Sequence, residues 1–187
     1  MATERLEQAF TLTRGILAGV TRDQLDGSTP CASWDVRELV SHIIGGSYWF
    51  ADTIATGVAD PFPTRDYTAG DLVASYDEGI RASLAGFGAP GALEAIIRLP
   101  FGEFPCARYM TLATTDTFVH GWDLARATGQ PSDLDSSLAL ELLEVSRQSM
   151  RDDFRGPDGQ APFGPAVEIP DSAPAADRLA AFLGRRP

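Results

Sequence analysis

Hydrophobic positions recur with helical spacing along most of the chain. In the first segment these positions are Leu6, Phe10, Leu17 and Val20. In the second they are Val36, Leu39, Val40, Ile43, Phe50 and Ile54, and in the third Leu72, Val73, Tyr76, Ile80 and Leu84. Such steps of mostly three, four and seven residues lie on one face of a helix, so each segment is predicted to be an amphipathic helix.

Polar residues and turn residues indicate where the helices begin and end. Ser33 is the predicted N-cap of the second helix, with Asp35 favourably placed in its first turn. The sequence TAGD at residues 68–71 is typical of a helix start and is expected to open the third helix. A fourth helix is predicted at residues 106–128, and Gly129 and Pro131 close it.

The remaining segments predict one extended connection and two shorter helices. Residues 93–104 are rich in β-formers and bounded by turn residues, which favours a short extended or β segment. A fifth helix carries Leu138, Leu142, Val145 and Met150, and a small C-terminal helix follows a long loop. We therefore predict an all-α fold, a four-helix bundle with crossover connections at residues 1–153, with residues 154–187 as a C-terminal extension packed on it.

Composition and charge narrow the class of partner. Hydrophobic residues make up 44% of the 187 residues, enough for a sizeable core, and the net charge is −11. This negative charge disfavours phosphate backbones and anionic lipid surfaces, so we expect neither nucleic acid nor membrane as a partner. The sequence shows neither a signal peptide nor an apolar run of about 20 residues, which predicts a soluble cytoplasmic protein. The sequence is compatible with both a monomer and a homodimer.

Three polar residues of the fourth helix lie within its apolar stripe. At about 100° per residue, Asp116, His120 and Asp123 fall on the same side as several hydrophobic residues. A buried carboxylate costs several kcal/mol unless it is paired or bound to a metal. An acid and a histidine one turn apart can both reach one divalent cation. A third ligand would come from His42 in the second helix, because the chain has only two histidines.

Other interpretations of the same residues remain open. An Asp116–His120 pair can also stabilise a helix without a metal. Phe118 and Trp122 form a second apolar strip, and if that strip faces the core, the acids would face water. Asp123 could be a fourth ligand, a hydrogen-bond partner of His120, or a catalytic acid or base, and we favour the catalytic role.

The two cysteines do not form a disulfide framework. Cys31 and Cys106 lie near helix starts, where a thiolate is favoured. Both lie about 16 to 20 Å along their helices from the proposed ligands, at 1.5 Å per residue. We therefore predict structural roles for both.

Two sequence blocks resemble a known superfamily. Residues 29–46 read TPCASWDVRELVSHIIGG, and residues 116–131 read DTFVHGWDLARATGQP. Together they resemble the DinB-like superfamily, and more narrowly actinobacterial metal-binding proteins related to the N-terminal domain of mycothiol-dependent maleylpyruvate isomerase. The resemblance implies a DinB-like bundle with one divalent metal, usually zinc or nickel, held by His42, Asp116 and His120.

The chain departs from the isomerases at two points. They have glutamate at the position of Asp116, and they continue into a C-terminal domain that contributes a basic residue to the site. Arg185 and Arg186 are candidates for that basic residue, or else solvated charges of the tail. A residue at the position of Asp123 is acidic in the isomerases and lies near the substrate.

The resemblance also implies a chemistry. A metal-bound thiol loses its proton at neutral pH, and the thiolate attacks an electrophile. We therefore predict a metal-dependent transferase or isomerase that uses a small-molecule thiol, mycothiol, and a small electrophile. The alternatives are a metal-water hydrolase and a non-catalytic module that binds a metal or a ligand.

Overall fold

Four of the six helices that the structure describes form a bundle. The structure is a computed structural model, and it describes residues 3–31, 33–157, 161 and 163–187. The helices are α1 (Glu4–Ala18), α2 (Val36–Thr56), α3 (Leu72–Phe87), α4 (Cys106–Ala127), α5 (Ser136–Ser149) and α6 (Ala175–Phe182). Strands β1 (Ile96–Leu99) and β2 (Gly102–Pro105) form an antiparallel hairpin between α3 and α4. The predicted all-α, DinB-like bundle with an extended segment near 93–104 is therefore confirmed.

The connections from α1 to α2 and from α3 to α4 each join helices on opposite corners of the bundle. Helix α1 packs mainly against α4 and α3, whereas α2 packs mainly against α3 and α4. Helices α1 and α2 are thus diagonal neighbours, and so are α3 and α4. The α1–α2 and α3–α4 connections therefore run diagonally across the bundle, and α2 lies directly beside α4.

A capping box begins α2, but it is one that the sequence analysis did not identify. The Asp35 carboxylate accepts the Glu38 backbone N–H at 2.8 Å, and the Glu38 carboxylate accepts the Asp35 N–H at 3.0 Å. The prediction of Ser33 as the N-cap is wrong, because the first helical residue is Val36 and only Asp35 directly precedes it.

Helix α4 is buried on two sides. One side faces the core shared by α1, α2 and α3, and the other packs against α5 and α6. Phe118 and Trp122 belong to the second core, where the Trp122 indole donates a hydrogen bond to Asp177 of α6 at 2.9 Å. Burial of that strip therefore does not turn the acids of α4 toward bulk water. In the described part of the chain, no helix is long and apolar enough to span a membrane.

The close approach of α1 and α4 depends on Gly121. A Cβ atom at this position would collide with the side chain of Thr13, whose hydroxyl donates to the Thr117 carbonyl at 2.9 Å. We expect Gly121→Ala to lower the free energy of unfolding by about 1–3 kcal/mol, as overpacking does. Urea denaturation monitored by circular dichroism measures this change.

Gly15 of α1 provides the matched control. A Cβ atom there would meet nothing within 4 Å. Gly15→Ala should raise the free energy of unfolding by up to about 1 kcal/mol, because alanine has the higher helix propensity. Equal effects of the two substitutions would contradict the proposed collision.

Candidate metal centre

Helices α2 and α4 bring together the three side chains that the sequence analysis selected as metal ligands. His42 Nε2 lies 3.9 Å from Asp116 Oδ2, and His120 Nε2 lies 3.4 Å from Asp116 Oδ1. One ligand atom from each residue lies within 4.8 Å of the others. Ligands about 2.0–2.2 Å from one tetrahedral ion would have comparable separations. The packing of α2 against α4 therefore places the three groups where one cation can reach them.

The imidazole of His42 has a buried nitrogen without a hydrogen-bond partner among the described residues. This nitrogen is Nε2, the atom that faces Asp116 across 3.9 Å, a distance too long for a hydrogen bond. Burial, partly offset by Asp116, lowers the pKa of His42 and favours the neutral imidazole that ligates metals. The ring stacks between Trp34 and Phe62, with centroid distances of 4.4 and 4.5 Å. A bound cation would provide a partner for Nε2, whose burial without any partner is unfavourable.

His120 lies between two carboxylates. Its Nε2 faces Asp116, and its Nδ1 lies 3.0 Å from Asp123 Oδ2. Burial alone would lower the pKa of His120, but Asp116 and Asp123 raise it well above its ordinary value. Desolvation would raise the pKa of Asp116, but the imidazoles of His120 and His42 hold it below its usual range. The side chain of Asp116 stays 41% exposed, because it opens into a cavity.

Asp123 is fully buried and forms an ion pair with Arg185. The Arg185 guanidinium donates to Asp123 Oδ2 at 3.1 Å, and only 11% of its side chain is exposed. Burial would raise the pKa of Asp123, but Arg185 and His120 hold it low. Arg185 is therefore the tail arginine that reaches this cluster, whereas Arg186 is exposed.

Cys31 lies beside this cluster, so the prediction that it is remote from the candidate ligands is wrong. Its thiol donates to Asp123 Oδ2 at 3.1 Å and lies 3.9 Å from His120 Nδ1. The estimate from helical rise does not apply, because Cys31 precedes α2 in a loop that folds toward α4. Cys106, by contrast, is buried in the core at the start of α4, and burial raises its pKa.

Cys31, His120 and Asp123 form a second set of potential metal ligands. His120 belongs to both sets, since its two ring nitrogens face opposite ways. Arg185 already places a positive charge 3.5 Å from the Cys31 sulfur and 3.1 Å from Asp123. This charge disfavours a cation in the second set.

A cavity of about 630 Å³ adjoins the first set, and His42 and Asp116 line it. Neither this cavity nor the set of aromatic residues that line it could be predicted from the sequence. Trp34 lies in the block of residues 29–46, and Phe62 stands between Pro61 and Pro63 after α2. Phe101 and Phe104 also lie between α2 and α4 in the sequence, but no periodicity shows that these rings face one cavity.

Comparison with known proteins supports the resemblance seen in the sequence. Residues 6–125 match the family described as the mycothiol maleylpyruvate isomerase N-terminal domain. Two Mycobacterium tuberculosis proteins, uncharacterized protein MT0763 and uncharacterized protein Rv0738, are each 40% identical over 185 residues. The alignment covers 99% of this chain and 96% of each relative. No solved structure matches the chain. The chain therefore belongs to the family of the mycothiol maleylpyruvate isomerase N-terminal domain.

Proposed function

We propose that the protein binds one divalent metal ion through His42, Asp116 and His120. We further propose that it catalyses the transfer of mycothiol to a small electrophile, or an isomerisation that depends on mycothiol. The observation that carries the proposal is the buried, unpartnered Nε2 of His42, which faces Asp116 across the α2–α4 interface. Family membership supports the choice of thiol.

The donor set suits the proposed metal. Two imidazole nitrogens and one carboxylate oxygen are favourable ligands for zinc, and imidazole also suits nickel. Three protein ligands are typical of catalytic zinc sites, in which a further position stays open. Because His42 and Asp116 line the cavity, a small molecule in the cavity would reach the same side chains.

Each neighbouring residue has a role in this proposal. A divalent cation, when bound, favours the thiolate form of a thiol that coordinates it. Trp34 and Phe62 hold the ring of His42 between them, and the mostly apolar cavity walls offer few hydrogen bonds to water that would compete with the thiol. Asp123 accepts the Nδ1–H of His120, which directs Nε2 toward Asp116. The contacts of Asp123 thus support a positioning role more strongly than the acid–base role predicted from sequence.

A thiol-consumption assay tests the proposal. The protein is purified without a histidine tag, loaded with zinc or nickel, and mixed with mycothiol and a panel of electrophiles. We expect metal-dependent loss of free thiol, reduced at least about 100-fold in Asp116→Asn, because even partners outside the ligand shell contribute 10–100-fold. Asp52→Asn, which changes an exposed acid of α2, is the matched control.

The pattern of results separates the alternatives. Equal thiol consumption by wild type and Asp116→Asn would exclude this site as the source of activity. Metal-dependent turnover of substrates without any thiol would favour a metal-water hydrolase instead. Metal binding that raises the melting temperature, with no turnover in either assay, would favour a non-catalytic module.

A further inference from the structure

The cavity beside the proposed metal site has mostly apolar and aromatic walls. Its volume of about 630 Å³ lies within the ~300–1,000 Å³ range of small-molecule sites. Helices α2, α4 and α5, the β1–β2 hairpin and the loops around them supply its walls. The aromatic and aliphatic side chains of these walls include Trp34, Trp49, Phe62, Phe101, Phe104 and Leu112.

The charged groups around the cavity are few and unevenly placed. Among the described lining residues, the acids are Asp60 and Asp116, and Arg108 is the basic residue besides His42. Asp60 and Arg108 are exposed, so they belong to the solvent edge. The guanidinium of Arg108 lies 4.9 Å from the centroid of the Phe104 ring. The inner wall therefore has no described arginine or lysine that could pair with a substrate carboxylate.

This distribution disfavours a dicarboxylate. Maleylpyruvate, the compound in the family's name, carries two carboxylates. A bound divalent cation would offset Asp116 and one substrate carboxylate at most, and the second would lie against aromatic walls. An unpaired carboxylate in apolar surroundings is strongly unfavourable.

We infer that the cavity holds the apolar, aromatic-sized body of an uncharged electrophile. Its reactive carbon would lie at the end formed by His42 and Asp116. The thiol sulfur forms a bond to this carbon, the bond to a leaving group such as chloride breaks, and the leaving group departs with the electron pair. The thiol proton passes to solvent. That the ligand is an electrophile rests on the proposed function. The preference for an uncharged, apolar body rests only on the residues that line the cavity.

A matched pair of fluorescent probes tests the preference without metal or turnover. N-phenyl-1-naphthylamine is uncharged, and 1-anilinonaphthalene-8-sulfonate has the same ring system with an added sulfonate. Binding to the chelator-treated protein is followed by probe fluorescence and by quenching of tryptophan emission, to which Trp34 and Trp49 of the cavity wall contribute. We expect one uncharged probe per chain, bound at least about tenfold more tightly than the sulfonate, which corresponds to about 1.4 kcal/mol.

Two variants locate the binding. Leu112→Glu places a charge on the cavity wall, and Phe101→Glu places one at its edge, where Phe101 is 48% exposed and therefore tolerant of substitution. Ile96→Glu is the control, because Ile96 is 57% exposed on the same hairpin and is not among the lining residues. We expect at least about tenfold weaker binding of the uncharged probe in Leu112→Glu, a smaller loss in Phe101→Glu, and none in Ile96→Glu.

The outcomes keep this inference separate from the proposed function. Selective binding of the uncharged probe supports the inference even if no thiol is consumed, and that combination would overturn the proposed function alone. Equal affinity for the two probes, or equal effects of Phe101→Glu and Ile96→Glu, would overturn the inference. A kinetic comparison provides an independent test with an uncharged substrate, 1-chloro-2,4-dinitrobenzene, and a charged one, 4-chloro-3,5-dinitrobenzoate. The ratio of their reaction rates with thiol should favour the uncharged substrate more strongly with the metal-loaded protein than without protein.

Discussion

Asp123→Ala should lower the free energy of unfolding of the metal-free protein by about 3–5 kcal/mol, the typical cost of breaking a buried ion pair. The substitution leaves the Arg185 guanidinium, of which only 11% is exposed, without its carboxylate partner. It also removes the acceptor that lies 3.0 Å from His120 Nδ1 and 3.1 Å from the Cys31 sulfur. Denaturation with guanidinium chloride in the presence of a chelator measures this loss of stability.

Two further variants show whether the loss arises from the unpaired charge. Replacing both partners, as in Asp123→Ala combined with Arg185→Met, should restore part of the stability because the guanidinium is removed together with its carboxylate partner. Glu103→Ala removes the exposed pair with Arg98 and should cost no more than about 1 kcal/mol. A loss in Asp123→Ala as small as that in Glu103→Ala would show that the Asp123–Arg185 pair contributes little.

His42→Ala should weaken metal binding by at least about 100-fold, because it removes one of three proposed ligands, whereas loss of a supporting residue outside the ligand shell costs 10–100-fold. Isothermal titration of zinc into the tag-free, metal-free protein measures the affinity. The metal-free form should also lose some stability, because the imidazole ring packs between Trp34 and Phe62. The titration is therefore carried out at a temperature at which both proteins are folded.

Cys31→Ser provides the control for the second ligand set. Serine retains a hydrogen-bond donor for Asp123 but replaces the sulfur, so metal affinity should stay close to that of wild type. Affinity that survives in His42→Ala but falls in Cys31→Ser would move the metal to Cys31, His120 and Asp123.

The convergence of His42, Asp116 and His120 could be predicted because it depends on regular structure. Helical periodicity places residues 116 and 120 one turn apart on the same face. The scarcity of histidine leaves His42 as the only imidazole that could join them. The ring of Phe62 that stacks on His42 could not be predicted, because Phe62 lies in an irregular connection after α2 whose path periodicity does not determine.

Cys31 and Arg185 could not be placed because both lie outside the helices. The rise per residue measures distance only along a helix, and Cys31 precedes the first residue of α2. Arg185 follows α6, where its backbone N–H donates to the Ala180 carbonyl at 2.9 Å and the chain turns toward Asp123. Tertiary packing of irregular segments, and not local sequence, decides both positions.

The cavity was beyond sequence reasoning for the same reason. Its walls combine Trp34, Phe101 and Phe154 from three separate connections with side chains of α2, α4 and α5. Each of these aromatic residues, taken alone, is more typical of a packed core than of a binding site. Only the three-dimensional positions of α2, α4 and the hairpin show that these aromatic residues surround a cavity.

X-ray absorption spectroscopy of the zinc-loaded, tag-free protein tests the central claim most directly. The two candidate ligand sets share His120 but differ in their other atoms, since one adds an imidazole and the other a sulfur. We predict two imidazoles and only nitrogen or oxygen ligands, at about 2.0–2.2 Å from zinc. A zinc–sulfur distance of about 2.3 Å that disappears in Cys31→Ser would contradict the assignment of His42, Asp116 and His120.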